Sequence, residues 1–352
     1  MSNLTIAHDL SASAEHYLER IGEADEYAAV DVVLGLIEDG VPAEDVLLRV
    51  VAPAQRLVGE LWASGTWSVA REHGATAVSE RAVAAISARV RPRPTLGRAT
   101  VACADGEYHA LPARMTAEVL RLRGWRVDFL GASVPGRHLV THLQQTGPDV
   151  VALGCALTTR LPRVHATITA CQAVGVPVLA GGPGFGADGR FAALLGADGW
   201  APAADAAADR LASGDLPSFP APQTTGHLAG EEYAGLTRRR ADLLTRVMAG
   251  LTRSYAPMAS YSPQQLEYTA EDLGHIADFL GAALYVGEPA VFTDFVTWTC
   301  DILAARGVPA DSVSHGLRIF HDELEDLPQA RTLLAKGVEA ASGAGGPGEG
   351  TR

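Results

Sequence analysis

The stretch Ala99-Thr100-Val101-Ala102-Cys103-Ala104-Asp105-Gly106-Glu107-Tyr108-His109 decides how the middle of the chain is read. Its first six residues are an apolar run of strand length, and Gly106 marks a turn. Leu111–Arg123 then reads as a helix. Strand, glycine turn and helix make the first unit of an α/β repeat, and such folds bind ligands at the carboxyl ends of their strands. Glu107-x-His109 sets an imidazole at that end, with a carboxylate two residues earlier as a partner for it.

Outward from this unit the pattern repeats. Further strands read at Arg126–Leu130, Val150–Gly154, Val176–Ala180 and Gly199–Ala201, with helices starting near Gly136, Leu161, Ala187 and Asp205. Five β-α repeats predict a parallel sheet covered on both faces, of Rossmann or flavodoxin-like type, over 97–216. Residues 1–92 predict a four-helix bundle: Ser11–Ile21, Asp25–Glu38, Ala43–Ser64 and a fourth helix capped by Ser68 and running through Ile86. The third carries one apolar stripe (Val46, Leu47, Val50, Val51, Ala54, Leu57, Leu61), and Pro53 is expected to kink it without ending it. Arg91-Pro92-Arg93-Pro94 closes the block, since each proline disfavours helix in the residue before it.

Residues 217–227 read as a proline-rich linker, 228–340 as an all-α globin-like domain, and 341–352 as a disordered tail. Gln264–Val286 bears two apolar stripes, Leu273, Ile276, Leu280 and Leu284 on one side and Tyr268, His275, Phe279 and Val286 on the other, so burial on two sides is expected.

The totals exclude several classes. The 352 residues are 47% hydrophobic and 20% charged, with a net charge of −13 that disfavours direct nucleic-acid binding. Arg238-Arg239-Arg240, the one run of three basic residues, is expected to be a solvated helix face. No membrane span and no secretory leader are read, which makes a cytoplasmic location the expectation. Four separated cysteines argue for reduced thiols rather than a disulfide frame or a zinc site. No nucleotide fingerprint is present: the first turn is not G-x-G-x-x-G, and Gly181-Gly182-Pro183-Gly184-Phe185-Gly186 lacks a following G-K-[ST].

Glu107-x-His109, Cys155-Ala156-Leu157 and Gly181-Gly182 fall at successive strand ends in the order D-x-H-x-x-G…S-x-L…G-G, and the block resembles the cobalamin-binding family over about 120 residues. The resemblance implies that His109 is the lower axial ligand of cobalt. It places Tyr108 and Leu111 beside it, and implies that Cys155, Leu157, Thr158, Gly181 and Gly182 border the channel for the nucleotide tail. Three departures stand out: Glu107 lengthens the acidic arm, Pro112 replaces a glycine, and Cys155 replaces a serine.

Upstream, Trp62-x9-Glu72-His73 matches the W-x9-EH motif of light-sensing cobalamin proteins related to the MerR-type photoreceptors. By that resemblance the bundle covers the upper face of the corrin. An indole shields an adenosyl group and a carboxylate accepts hydrogen bonds from its ribose. Ala63 stands where those receptors carry a capping histidine, so a bis-histidine photoproduct is not expected to form in the same way. Their helix-turn-helix domain is not read ahead of the bundle, so direct gene repression is not expected.

Bundle, cobalamin domain and helical domain together look like the photocobilins, which pair adenosylcobalamin with biliverdin. A linear tetrapyrrole needs a flat apolar slot, a cation for its propionates and polar groups at its pyrrole nitrogens. The candidates are Tyr255, Tyr261, His275, Tyr285, His315 and Arg318, and Cys300 is read as a structural thiol. The expectation is a non-enzymatic light sensor, a homo-oligomer (a light-dependent dimer) signalling through self-association or a separate protein partner. The rivals are a corrinoid methyl-carrier and a cobalamin-responsive regulator without photochemistry.

Overall fold

The computed structural model describes residues 9–214 and 230–344, so the linker read at 217–227 and the tail from 345 lie outside the described residues. Two compact units result. The first holds the described residues up to 156 and from 163 to 214; the second holds 157–162 and the residues from 230 onward.

The first unit begins with α1 (Ser11–Gly22), α2 (Glu26–Glu38), α3 (Ala43–Val46), α4 (Ala52–Ala63) and α5 (Val69–Arg89). Asp25 caps α2 by accepting the Ala28 N–H at 3.0 Å, and Ser68 caps α5 by accepting the Arg71 N–H at 3.2 Å. Between α3 and α4, residues Leu47–Val51 form a π turn. Pro53 explains it: a proline lacks the N–H that would bond to the carbonyl four residues back and crowds that carbonyl, and a wider turn relieves both. The extra residue rotates the rest of the helix. Leu57, expected in the buried stripe, is 40% exposed, and Val58 takes its place at 1%.

The sheet follows. Its strands are β1 (Arg98–Cys103), β2 (Arg126–Gly131), β3 (Val150–Gly154), β4 (Val178–Gly181) and β5 (Gly199–Ala201). Its helices are α6 (Ala110–Leu122), α7 (Gly136–Thr146), α8 (Leu161–Ala173), α9 (Arg190–Leu194) and α10 (Ala204–Ala212). All pairings are parallel, in the order β2-β1-β3-β4-β5. This is the flavodoxin-like order, whose chain reversal lies between β1 and β3. β1 and β3 are central and nearly wholly buried, which is why their sequences are apolar without alternation.

Bundle and sheet share one core. Val83 and Ile86 of α5 belong to the same buried cluster as Val119 and Leu120 of α6 and Val101 of β1. Arg123, just past α6, adds a two-pronged bond to Glu44 of α3, both contacts at 2.7 Å.

The second unit is all-helical: α11 (Glu231–Ser254), α12 (Pro263–Val286), α13 (Ala290–Ala305), α14 (Asp311–Glu323) and α15 (Pro328–Ala344). A reciprocal Ser262–Gln265 capping box starts α12. The second stripe of α12 is not buried along its length. Tyr268 is 53% exposed and His275 is exposed, whereas every residue from Leu280 to Val286 is buried. One face of the helix is buried from Leu273 onward, and it is buried all round only in its last two turns. The arginine run is not simply a solvated face: Arg239 pairs with Asp326, and Arg240 with Asp278 at 2.6 Å and the Gly274 carbonyl. Partners on α12 and in the turn after Glu323, invisible in a local reading, turn two of these charges into ties. The last helix runs to Ala344, past the start of the stretch expected to be disordered.

Candidate functional site

The loop leaving β1 is tied down on three sides. Ala104 N–H donates to the Gly154 carbonyl at the end of β3 at 3.0 Å, and Glu107 N–H turns back to Ala104 at 2.9 Å. Gly106, at φ +78°, makes that turn possible and donates its N–H to Ser133 Oγ at 3.1 Å. Ser133 N–H in turn donates to the Glu107 carbonyl at 2.8 Å. The β1–α6 and β2–α7 loops therefore form one layer over the strand ends.

Glu107 is the centre of this layer, 1% exposed. Its Oε1 accepts the His109 backbone N–H at 2.9 Å and lies 2.5 Å from His109 Nδ1, while Oε2 accepts the Ala156 N–H at 2.7 Å. Burial pushes its pKa up, but the hydrogen bonds from the His109 ring, the His109 backbone and Ala156, with the imidazole's charge, outweigh it and bring the value down to about 2. At neutral pH the carboxylate can only accept, so Nδ1 carries a proton. In the neutral ring the lone pair is then on Nε2. The imidazole itself is 57% exposed, at the amino end of α6, beside the exposed Tyr108. Leu111 is buried, and Pro112 lies in the first turn of α6, where a missing N–H costs nothing.

Cys155 and the glycine pair meet next to this loop. Cys155 N–H donates to the Gly181 carbonyl at 3.0 Å, and the Cys155 carbonyl accepts the Gly184 N–H at 3.0 Å. Gly182 sits at φ +104°, where an added Cβ would lie within 2.4 Å of that carbonyl. Its lack of a side chain serves this backbone crossing, a role separate from the channel wall expected of it. Leu157 and Thr158 fall in the 157–162 segment that groups with the second unit.

In the bundle, Trp62 ends α4 half-buried, and Glu72 and His73 lie in the first turn of α5. Arg71 orients that turn: its Nε donates to the Gly22 carbonyl at 2.9 Å and its guanidinium stacks 4.1 Å over Trp67. Glu72 Oε2 lies 2.5 Å from His73 Nδ1, and Oε1 accepts from Thr76 Oγ1 at 3.1 Å. Behind them Thr76 reaches Gln55, Gln55 reaches Ser79, and Tyr17 donates to Ser79 at 3.1 Å. The motif marked Glu72 but not this chain. Gln55 and Tyr17 lie on other helices, 17 and 55 positions before Glu72, and Thr76 and Ser79 look like ordinary helix polar residues.

In the second unit, Tyr255 and His315 are brought together, with ring centroids 5.4 Å apart, and Ser254 Oγ lies 2.8 Å from His315 Nε2. Tyr261 and Asp311 join them. The Tyr255 hydroxyl has a raised pKa through burial first and then through those two neighbours. Tyr285 stands apart, buried edge-on against Tyr233 at 4.9 Å. His275 and Arg318 are exposed. Phe279 and Phe295 stack at 3.9 Å, nearly parallel, beside the exposed Trp298.

Known proteins bear on the first unit. Residues 97–209 match a B12 binding domain model, and residues 13–87 match a second model of that description. The HTH-type transcriptional repressor CarA of Myxococcus xanthus is 35% identical over 121 residues, 33% of this chain and 41% of that protein. The HTH-type transcriptional repressor CarH of the same organism is 31% identical over 166 residues, 46% of this chain and 54% of its own. The chain thus spans about half the length of these relatives. In fold it is similar to the monomethylamine corrinoid protein of Methanosarcina barkeri (TM-score 0.52, 16% identity), over 58% of this chain and 99% of that one.

The residues present fit a corrinoid. Among the described residues no group of three or more His, Cys, Asp and Glu is arranged to hold a bare metal ion. A single oriented imidazole is what a metal already held by a macrocycle requires from a protein. The first unit is built of B12-binding domains and is homologous there to the repressors CarA and CarH.

Proposed function

We propose that this chain is a light sensor rather than an enzyme, holding adenosylcobalamin in its first unit and biliverdin in its second. The observation that carries the proposal is the Glu107–His109 pair, whose buried carboxylate leaves the imidazole lone pair on Nε2. His109 Nε2 would be the protein's ligand to the cobalt. Trp62 and Glu72 would face the adenosyl group, the indole as an apolar cover and the carboxylate as acceptor for ribose hydroxyls. When bound, the cofactor supplies a cobalt–carbon bond that visible light breaks. Trp62 and Glu72, bound to the adenosyl group in the dark and without it after light, would set how α4 and α5 pack, and thereby self-association or the docking of a separate protein.

Support for a bilin in the second unit is the polar cluster of Tyr255, Tyr261 and His315 and the stacked Phe279–Phe295 pair. Cys300 is buried and its thiol pKa is raised by that burial and by Asp301, so attachment without a thioether fits best.

The test is an absorption spectrum of protein produced with cobalamin and biliverdin, before and after green light. A light-induced change in the cobalamin bands and a sharpened red bilin band are expected; a cobalamin spectrum that green light leaves unchanged would overturn the proposal. The fold likeness to a corrinoid protein favours one second reading, a methyl-carrier. That protein would bind methylcobalamin, accept reduction to cobalt(I) and ignore biliverdin.

A further inference from the structure

A polar file crosses the bundle from Glu72 to the buried Tyr17, and its hydrogen-bond count does not close in one arrangement. Thr76 Oγ1 lies 3.1 Å from Glu72 Oε1 and 3.3 Å from Gln55 Oε1. Both neighbours are acceptors, and a hydroxyl has one proton. On the other side, Gln55 Nε2 donates to Ser79 Oγ at 2.6 Å and to the Ala75 carbonyl at 3.4 Å, while Tyr17 also donates to Ser79 at 3.1 Å. Ser79 thus receives two donors, and its own proton has no acceptor within the file.

Turning the Gln55 amide over exchanges its oxygen and nitrogen at the same positions. Tyr17 then donates to Ser79, Ser79 to Gln55 Oε1, Gln55 Nε2 to Thr76, and Thr76 to Glu72. Every hydroxyl now donates once, and only the long contact to the Ala75 carbonyl is lost. Neither arrangement dominates by more than one or two ordinary hydrogen bonds, roughly 1–2 kcal/mol. Glu72 decides between them. An unoccupied Glu72 draws the Thr76 proton and favours the turned amide. A ligand that donates hydroxyl protons to Glu72 releases Thr76 to Gln55 and favours the other.

We propose that Gln55 and Thr76 are positioning residues for Glu72, and that the Gln55 amide takes both orientations, so that the occupancy of Glu72 sets whether Ser79, the acceptor of the Tyr17 hydroxyl, donates to Gln55 or accepts from it, and thereby how strongly it holds Tyr17 on α1. The occupant is a vicinal diol, and naming it the ribose of an adenosyl group rests on the cobalamin reading. Tyr17 and Ser79 are both fully buried, so the far end of the file is shielded from water and responds only through the protein.

The experiment follows the Tyr17 ring-hydroxyl carbon by nuclear magnetic resonance in full-length protein labelled at tyrosine, with Tyr17→Phe giving the assignment. Without ligand, Glu72→Gln gives position 72 its own N–H donor, frees Thr76, and should move the Tyr17 resonance. Thr76→Val should abolish that response and Thr76→Ser restore it. A Glu72→Gln response that survives Thr76→Val, or no response at all, would overturn the relay. Adenosylcobalamin should move the resonance in the same direction as Glu72→Gln, and Thr76→Val should weaken its binding about two- to tenfold. Uptake seen in the visible spectrum with Tyr17 unmoved would also overturn it. No uptake at all would instead refute the cofactor reading, with the Glu72→Gln and Thr76→Val comparison still deciding the relay.

Discussion

Glu107 grips His109 twice, at the backbone N–H and at Nδ1, while its second oxygen holds Ala156 beyond β3. One carboxylate therefore joins two strand ends and orients the ring between them. This accounts for a glutamate here: the longer arm spans both loops at once.

The grip has a pH signature. Glu107 titrates near 2 in the folded protein instead of 4.5, so its stabilisation is complete above pH 4.5 and is lost as pH falls from 4.5 toward 2. The amount is about 3 kcal/mol. Urea midpoints at pH 7, 4 and 3 should fall across that window in the native protein and fall less in Glu107→Gln.

The same substitution should affect the ligand. With an amide at 107, Nδ1 loses its anionic acceptor and the ring is no longer held in one tautomer. Corrinoid affinity should drop about 10- to 100-fold, read by absorbance titration. His109→Ala should go further, changing the colour of any corrinoid still bound; unchanged uptake and colour would refute the coordination.

Gly182→Ala should cost about 2–4 kcal/mol in urea unfolding, because the new methyl meets the Cys155 carbonyl and alanine resists the positive φ. Gly181→Ala, whose nearest neighbour would be an ordinary 3.6 Å contact, should cost far less.

For the second unit, Cys300→Ser should leave the red band of added biliverdin in place, while His315→Ala should shift or weaken it. Loss of the band in Cys300→Ser alone would point to a covalent link.

The sheet was legible because a buried parallel strand leaves a short apolar run, and five such runs separated by helices admit few folds. His109 and Glu107 were legible because both lie in one turn. The partners of Glu107 were not: Ala156 is 49 positions away and contributes only a backbone N–H, which no side chain advertises. Tyr255 and His315 illustrate the same limit from the other side. Each was a candidate alone, but their pairing depends on how α11 and α14 cross. His275, expected to be buried, is exposed: helical spacing shows which residues share a face and not how far along the helix that second face is covered.

The wide turn at Leu47–Val51 inserts one residue into an otherwise regular helix, and an α-helix advances about 100° per residue. Every side chain from Gln55 to Trp62 therefore owes its compass bearing to that insertion. Deleting a single residue there would leave a helix of nearly the same length that points its indole and its glutamine at the wrong neighbours, so this helix tolerates substitution more readily than a change in length.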